Sequence, residues 1–382
     1  MNENLSEGQF VSLIKKVFQP KSNDRVLTIL LDIPNREVGD NPSWRDRRLI
    51  AFEWKTTLTK IQNDLGLEKI ELVCYENVDN NNADLPETVY RFQGDPTELD
   101  SEKLVKGDGA FDLHQTASEW HIVLAPTQFS ATAPLKNLAR QRGFRAASMP
   151  GFHRKMIPAL QIDYEEVHQQ VMKMKTRLDE AIAIKMKFEA TGKPYQFSVD
   201  TRHRTGHASS GLIREPGTAW NLPSGEAFIV PYEGELGEPS KTYGSLPVQF
   251  GDEIVVYKIE KNRAVEITSE GETSKKEREK LLDEPAYGNI AEIGFGVLQP
   301  FGIKPIGEML LDEKLGLHIA FGRSDHFGGA TSPEDFGNPQ NVIHIDRIYI
   351  PEVQDRVEVK EVVFEYSGQK SELIIKSGEY VI

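Results

Sequence analysis

The length, composition and charge of the chain bound what it can be. Its 382 residues predict two domains or three, and 38% hydrophobic residues are enough for ordinary folded cores. The formal net charge of −14 argues against a general nucleic-acid or anionic-membrane surface. A single cysteine excludes an internal disulfide framework and a cysteine-rich zinc site.

The amino terminus and the apolar runs carry no targeting or membrane signal. Residues 1–8 contain neither a basic segment nor an apolar core, so no signal peptide is visible. No run approaches the roughly 18 apolar residues of a membrane span. We therefore expect a cytoplasmic protein with no membrane partner and no nucleic-acid partner.

The first part of the chain alternates apolar runs with amphipathic segments. A short amphipathic helix is predicted at 9–18, followed by a strand at 25–33 that is apolar on both faces. The next predicted elements are a helix capped by Ser43, a strand at 69–78, a strand at 120–126 and a helix at 134–142 that ends at Gly143. This order predicts an α/β domain with a mostly parallel sheet.

The longest helical pattern in the chain is predicted at 165–191. Apolar residues recur along it at spacings of three and four, as in a helix that buries one face. They are Val167, Val171, Met174, Leu178 and Ile182. Gly192 and Pro194 end the pattern. We expect this helix to join the two domains.

The rest of the chain predicts a β-rich second domain with short strands and many glycines. The predicted elements are strands at 195–200, 226–230, 253–260 and 264–268, a charged helix at 271–283, and a hairpin of 357–366 with 372–375. The fold class is therefore α/β plus α+β. We divide the chain into an N-terminal α/β domain at 1–160 and a C-terminal, β-rich metal-binding domain at 161–382.

Four residues of the second domain have side chains that bind Zn, Mn, Co or Fe(II). They are Glu292, His318, His344 and Asp346, and each lies in or beside a short apolar run. An ionisable group in such a run needs a partner. His344 and Asp346 alternate with apolar residues in a predicted strand, so both point to the same face. The pattern predicts a metal site.

Glu226 is a fifth candidate ligand. It follows Pro223 and Gly225, which fix the approach of the chain to an apolar strand. A glutamate at a strand start is more often a turn residue, and a single histidine such as His318 is more often a core residue. Their joint occurrence favours a site, because the five residues suffice for two cations that share a bridging carboxylate.

The loop that follows the strand of His318 carries two further candidates. Asp325 and His326 lie between Arg323 and a pair of glycines that let the backbone approach a ligand. We expect them to contact the ligands or the substrate, and we include His326 among the catalytic candidates.

Four segments resemble, in the same order, the metal-binding segments of the aminopeptidase T/aminopeptidase S family of metallopeptidases. They are Asn-Leu-Pro-Ser-Gly-Glu at 221–226, Gly-Asn-Ile-Ala-Glu-Ile-Gly at 288–294, Leu-His-Ile-Ala-Phe-Gly at 317–322 and His-Ile-Asp at 344–346. The resemblance covers roughly 195–352. It implies a homodimeric hydrolase that removes N-terminal residues from peptides with a free amino terminus.

The resemblance also implies a cofactor and a ligand set. Two divalent ions of zinc, cobalt or manganese would be held by Glu226, Glu292, His318, His344 and Asp346, and one of the two glutamates would also accept a proton. The family places a tyrosine a few residues beyond its first ligand histidine. This chain has Arg-Ser-Asp-His-Phe at 323–327 instead, so that either His326 or Asp325 would take over that role or Phe327 would leave it empty.

Two alternatives remain open. The chain also resembles the 2,5-dihydroxypyridine dioxygenases, in which one Fe(II) would be held here by His318, His344 and Asp346 as a facial triad. A relative without activity that keeps its metal for structure is the other alternative, and a closed coordination sphere would mark it. The presence of both Glu226 and Glu292 favours hydrolysis, since a mononuclear iron site does not need two further carboxylates.

Overall fold

The computed structural model describes residues 4–92, 109–338 and 341–382. These residues form two compact units. The first contains the described residues up to His168 together with 209–224, and the second contains 169–208 and 225–382. The domain limits at residue 160 stay a prediction, and no sequence pattern indicated that 209–224 packs with the first unit.

The described residues contain both helices and strands. The α-helices are α1 (Glu7–Val17), α2 (Pro42–Lys60), α3 (Leu113–Ala117), α4 (Thr132–Arg142), α5 (Tyr164–Glu180), α6 (Glu272–Asp283) and α7 (Met309–Asp312). None of these helices has the length and apolar character needed to cross a membrane. The strands are β1 (Val26–Ile33), β2 (Lys69–Glu76), β3 (Thr88–Arg91), β4 (Ala110–Asp112), β5 (Ile122–Ala125), β6 (Arg145–Ser148), β7 (Ala181–Ala190), β8 (Lys193–Asp200), β9 (His207–Ser209), β10 (Thr218–Asn221), β11 (Glu226–Ile229), β12 (Tyr243–Phe250), β13 (Glu253–Glu260), β14 (Arg263–Ile267), β15 (Ile290–Gly296), β16 (Leu317–Gly322), β17 (His344–Ile348), β18 (Val357–Tyr366), β19 (Ser371–Lys376) and β20 (Glu379–Tyr380).

The first two helices begin at side-chain caps. Ser6 accepts a hydrogen bond from the Gln9 backbone N–H, and the Gln9 side chain accepts one from the Ser6 N–H, which is a capping box. In α2 the Asn41 side chain accepts from the Trp44 N–H, and proline occupies the first helical position. The prediction that Ser43 caps this helix is therefore wrong, because Asn41 takes that role two residues earlier.

The sheet of the first unit has the strand order β10-β6-β5-β1-β2-β3-β4. The pairs from β10 to β2 are parallel, and β3 and β4 add to the other edge in antiparallel orientation. The sheet is mostly parallel, as the alternation of strands and helices predicts. β1 is buried along its whole length, in keeping with its central place.

The helix predicted at 165–191 is wrong in its second half, because α5 ends at Glu180 and β7 follows directly. Buried and exposed side chains alternate along β7, which is the period of a strand. The buried members are Ile184, Met186, Phe188 and Ala190. Ile182, which the helical spacing placed in the apolar stripe, is exposed. After residue 180 the burial pattern repeats every two residues, as in a strand.

The second unit contains two antiparallel sheets. The larger has the order β14-β13-β12-β8-β7-β18-β19-β20, and the smaller has the order β17-β16-β15-β11-β9. Aromatic pairs join them, with ring centroids 5.3 Å apart for Phe295 and Phe364 and 4.9 Å apart for Tyr257 and Phe321. One face of the smaller sheet therefore packs in the core, and its other face carries the candidate ligands.

Candidate metal centre

The five candidate ligands all lie on the smaller sheet of the second unit. Glu226 is the first residue of β11, Glu292 lies in β15, His318 lies in β16, and His344 and Asp346 lie in β17. Glu226, Glu292 and His318 are buried, whereas His344 and Asp346 are partly exposed. Four neighbouring strands thus supply one cluster.

Cross-strand pairing brings the ligands to a single face. Glu292 pairs with Ala320, which pairs with Asp346 on the next strand. Gly294 pairs with His318. Because residues two apart along a strand share a face, the ligands and these two small residues point to the same side. Glycine and alanine at the positions between ligands leave space above the sheet.

The ligand atoms form two overlapping groups. One group is Glu226, Glu292 and His318, the other is Glu292, His344 and Asp346, and the ligand atoms of each lie within 4.8 Å of one another. Glu292 belongs to both groups. Its Oε1 lies 3.4 Å from His318 Nε2 and its Oε2 lies 3.3 Å from His344 Nε2. A carboxylate with one oxygen in each group is placed to bridge two cations.

Backbone carbonyl groups orient the two imidazoles. His344 Nδ1 lies 2.8 Å from the carbonyl oxygen of Arg323, and since a carbonyl only accepts, Nδ1 is the donor. His318 Nδ1 lies 3.4 Å from the carbonyl oxygen of Gly316. Each ring therefore turns its Nε2 toward the carboxylate of Glu292.

Two glycines of β15 make room for the site. A Cβ atom at Gly294 would stand 1.9 Å from His318 Nε2. A Cβ atom at Gly296 would stand 2.1 Å from the carbonyl carbon of Lys314. No side chain fits at either position, so the imidazole and the backbone before β16 approach the strand directly.

Lys314 and Glu313 complete the buried polar cluster. Lys314 is fully buried, and its Nζ donates to Glu226 Oε1 at 2.5 Å and also to Glu313 Oε1. Glu226 Oε2 is buried, lies 3.4 Å from His318 Nε2, and has no hydrogen-bond partner. Lysine therefore holds one oxygen of Glu226, and the other oxygen faces the ligand groups.

The sequence patterns did not select Glu313 or Lys314. The available signal was a pair of opposite charges between two apolar runs, 309–311 and 315–321, where burial requires the charges to be paired. Burial raises the pKa of Glu313 to about 8. Burial alone would lower the pKa of Lys314, but the charges of Glu226 and Glu313 outweigh it and raise that pKa.

The buried carboxylates of the ligand set favour a positive charge beside them, on an imidazole or on a cation. Burial opposes a charged His318, but its hydrogen bond to Glu292 and the charges of Glu226 and Asp346 outweigh burial and raise its pKa to about 10. The same balance raises the pKa of His344 to about 9. Against its own burial, Glu292 keeps a pKa well below the usual range because both histidines face it.

These residues fit divalent cations. The donors are carboxylate oxygens and imidazole nitrogens, which suit zinc, cobalt, manganese and Fe(II) alike. The buried Oε2 of Glu226 has no hydrogen-bond partner, and a cation held there would interact with it. The ring of His318 occupies the space that a side chain at Gly294 would fill.

His326 and Asp325 lie beside the ligands and belong to neither ligand group of the described residues. The ring centroids of His326 and His344 are 5.2 Å apart and the rings are nearly perpendicular. Partial burial lowers the pKa of His326 below its usual range, and the charge of His344 adds to the effect. Arg323 Nε donates to Asp325 Oδ1 at 2.5 Å, which turns that carboxylate to the arginine. The catalytic role of His326 stays a prediction.

An aromatic cluster flanks His344. The ring centroid of Phe327 lies 5.6 Å from that of His344 and 4.8 Å from that of Phe228. Phe228 stacks on His207 at 4.9 Å. Phe327 is only partly buried, so it offers an apolar surface next to the more exposed ligand group.

Glu233 fixes the loop that carries His326 and Phe327. Its carboxylate accepts hydrogen bonds from the Ser324 hydroxyl at 2.6 Å, from the Thr331 hydroxyl at 2.7 Å, and from the backbone N–H groups of Ala330 and Thr331. Hydrogen bonds to a charged acceptor are the stronger kind. No sequence pattern indicated this residue.

The chain is similar in fold to two solved enzymes. No model of a known protein family matches the chain, and no curated protein matches it. The structure of the 2,5-dihydroxypyridine dioxygenase of Pseudomonas putida aligns with a TM-score of 0.60 and 14% identical residues, over 99% of this chain and 98% of that one. The aminopeptidase AmpT of Thermus thermophilus aligns with a TM-score of 0.56 and 12% identical residues, over 98% of this chain and 99% of that one. At such identities the likeness shows a shared fold, and that fold is one on which both an aminopeptidase and a dioxygenase are built.

Proposed function

We propose that this protein is a metal-dependent hydrolase that removes residues from the amino terminus of peptides. In this proposal two divalent cations are held by the two groups that share Glu292. The observation that carries it is the pair of distances of 3.4 and 3.3 Å from the two oxygens of Glu292 to the imidazoles of His318 and His344. The likeness to AmpT agrees with this function, and the likeness to the dioxygenase is at least as strong, so the support specific to hydrolysis is the shared carboxylate of Glu292.

Cations bound there would polarise the scissile carbonyl and lower the pKa of a water molecule. The residues of the chain divide the remaining work. Glu292 stays ionised, which makes it a good ligand and a weak base. Glu226 has one oxygen bound to Lys314, and its other oxygen faces the ligand groups. We assign the role of proton acceptor to Glu226, whose Oε2 has no hydrogen-bond partner. His326 lies outside both groups, and its lowered pKa makes it a weak base too, so we assign it a neutral hydrogen bond to the substrate.

The surroundings of the ligands suit a peptide amino terminus. Asp346 is a partly exposed carboxylate that can attract a protonated amine. The half-buried ring of Phe327 next to His344 offers apolar contact to the first side chain of the substrate. A homodimer in the cytoplasm remains our expectation for the assembly and its location.

Metal counting on defined variants tests the proposal. The protein is purified without chelator, re-metallated separately with Zn, Mn, Co and Fe(II), and assayed on dipeptides with free and acetylated amines. We expect two ions per chain and hydrolysis of the free-amine peptides alone. Glu292→Gln should lose at least one ion and about 100-fold or more in rate. Glu270→Gln, which changes an exposed carboxylate, is the matched control. Full activity and two ions in Glu292→Gln would overturn the mechanism.

The second candidate function is ring cleavage by a single Fe(II). The observation in its favour is that Glu292, His344 and Asp346 form a complete, partly exposed ligand group by themselves. The triad of His318, His344 and Asp346 expected for that function is not one of the two groups in the described structure, since each contains Glu292. One ion per chain, a preference for Fe(II), and O₂ consumption with a dihydroxypyridine would replace the hydrolase with this function. Ions bound with neither activity would indicate a structural metal.

A further inference from the structure

We propose that Lys314 makes the two cation positions unequal, so that the position at Glu226 and His318 binds weakly and exchanges while the position at His344 and Asp346 stays filled. This inference rests on the two-cation site of the proposed function. Lys314 acts as a built-in cation that competes for the charge of Glu226. It is a positioning residue, since it reaches the site only through that carboxylate.

The geometry places the ammonium next to the weaker position. Lys314 Nζ donates to Glu226 Oε1 at 2.5 Å, and Oε2 of the same carboxylate faces His318 Nε2 at 3.4 Å. A cation on Oε2 would therefore lie one carboxylate away from a fixed positive charge. Even with an effective dielectric constant of about 20, repulsion between charges a few ångströms apart changes affinity by about tenfold or more.

Lys314 cannot withdraw when a cation arrives. Its backbone crosses Gly296 so closely that a Cβ atom there would stand 2.1 Å from the Lys314 carbonyl carbon. Its own carbonyl accepts from the Leu298 N–H at 2.8 Å. Its side chain is fully buried, and Glu313 holds the ammonium from the other side. The positive charge is therefore a permanent part of the site.

The other ligand group has no such neighbour. Within the described residues, no lysine or arginine side chain donates a hydrogen bond to Glu292, His344 or Asp346. Unlike the carboxylate of Glu226, neither carboxylate of that group is tied to an ammonium in the described structure. It should consequently load first and hold its ion when the other position is empty.

The test is a calorimetric titration of cation-free protein with Zn²⁺ and, separately, with Mn²⁺. Wild type should show two steps of unequal affinity. In Lys314→Met the weaker step should tighten by at least about tenfold while the stronger step changes much less. Lys314→Arg keeps the charge and should keep the inequality. Lys258→Met removes a surface ion pair of the same unit, with Glu260 at 2.9 Å, and should titrate like wild type.

A second variant covers the case in which Lys314→Met does not fold without cations. Lys314→Gln keeps a hydrogen-bond donor for Glu226 and removes only the charge, so the weaker step should again tighten by about tenfold. Unchanged affinities in both Lys314→Met and Lys314→Gln would overturn the inference. So would a loss of affinity in a folded Lys314→Met.

The outcomes separate this inference from the proposed function. If the Lys314 variants shift cation affinity as expected but no peptide is hydrolysed, the aminopeptidase function is rejected and the inference about Lys314 stands. If peptides are hydrolysed but the two cations bind with equal affinity in wild type and in the Lys314 variants, the function stands and the inference about Lys314 is rejected. A single step in wild type that becomes two in Lys314→Met would show Lys314 taking the place of the second cation, and it would exclude a two-cation hydrolase.

Discussion

Gly294 stands directly opposite His318 on the paired strands β15 and β16, and a methyl group on Gly294 would lie 1.9 Å from the imidazole Nε2. Gly294→Ala should therefore push the ring out of both its carboxylate contacts. We expect loss of the cation bound through His318, with a cost of about 1–3 kcal/mol in the free energy of unfolding from overpacking. Metal content after dialysis and urea denaturation measure the two effects.

Gly8→Ala is the control for that substitution. Gly8 lies in α1, and a Cβ atom there meets no other atom within 4 Å. It should leave metal content unchanged and shift stability by less than about 1 kcal/mol. Full metal occupancy in Gly294→Ala would show that His318 is a core histidine and no ligand.

Glu233 should control the order of the loop beside the ligands. Glu233→Ala removes an acceptor that holds Ser324, Ala330 and Thr331. We expect amide hydrogen exchange at 324–331 to accelerate about tenfold or more, since each bond to a charged acceptor contributes about 1.5–3 kcal/mol. The KM for peptides should rise, because His326 and Phe327 lose their fixed place.

Glu279→Ala, an exposed position on α6, is the matched control for Glu233→Ala. Exchange rates at 324–331 that stay at the wild-type value would show that the loop holds its shape by its own turns. In that case a change in KM would need another cause.

His326 should contribute to catalysis without binding a cation. His326→Ala is expected to lower kcat about tenfold through the loss of a hydrogen bond to the substrate, with unchanged metal content. The physical reason is its position beside His344 and outside both ligand groups. Kinetics and metal analysis are run on the same samples, with His114→Ala, an exposed position on α3, as control. A loss of metal together with activity would make His326 a ligand.

The first unit should carry a pH-dependent stability that comes from Asp32. Burial raises the pKa of Asp32 to about 6, although the backbone N–H groups of Gln128 and Phe129 donate to it. The folded state thus holds the proton more tightly than the unfolded chain, whose aspartate pKa is about 3.9. Stability from this group is fully present below about pH 4 and is lost as the pH rises through 6. The difference amounts to ~3 kcal/mol.

Asp32→Asn should remove this dependence. The difference in unfolding free energy between wild type and Asp32→Asn should change by ~3 kcal/mol between pH 4 and pH 8, in the direction that favours wild type at low pH. All four tryptophans lie in the first unit, so tryptophan fluorescence in urea follows that unit separately. Asp64→Asn is the exposed control. Parallel stability curves for wild type and Asp32→Asn would contradict the argument.

The ligand set shows how far sequence patterns reach. Glu292, His318 and Asp346 could be selected because an ionisable side chain in an apolar strand needs a partner, and alternation tells which face it takes. The structure places these candidates together on one face. Glu313 and Lys314 were missed because a pair of charges before a strand is usually a solvated turn. In the structure their backbone lies against Gly296, and both side chains are buried.

The helix predicted through residue 191 failed for a related reason. Ile182 continued a helical spacing that begins in α5, yet the chain changes period at Ala181 without a glycine or proline to mark the change. The spacing of neighbouring residues carries no information about a strand partner that is distant in sequence. β18, more than 160 residues later, pairs with β7 along its length and decides the conformation. The return of 209–224 to the first unit is likewise a long-range event.

The register of the smaller sheet has a consequence for how the chain tolerates change. Ligands from four strands meet because the register of the sheet pairs Gly294 with His318 and Ala320 with Asp346. If the pairing of one of these strands shifted by one residue, every ligand on that strand would turn to the opposite face of the sheet, into the apolar core. A cation bound as proposed would therefore favour the correct strand register over misaligned ones during folding. A deletion of one residue inside β16 or β17 should do more harm to this protein than most substitutions there.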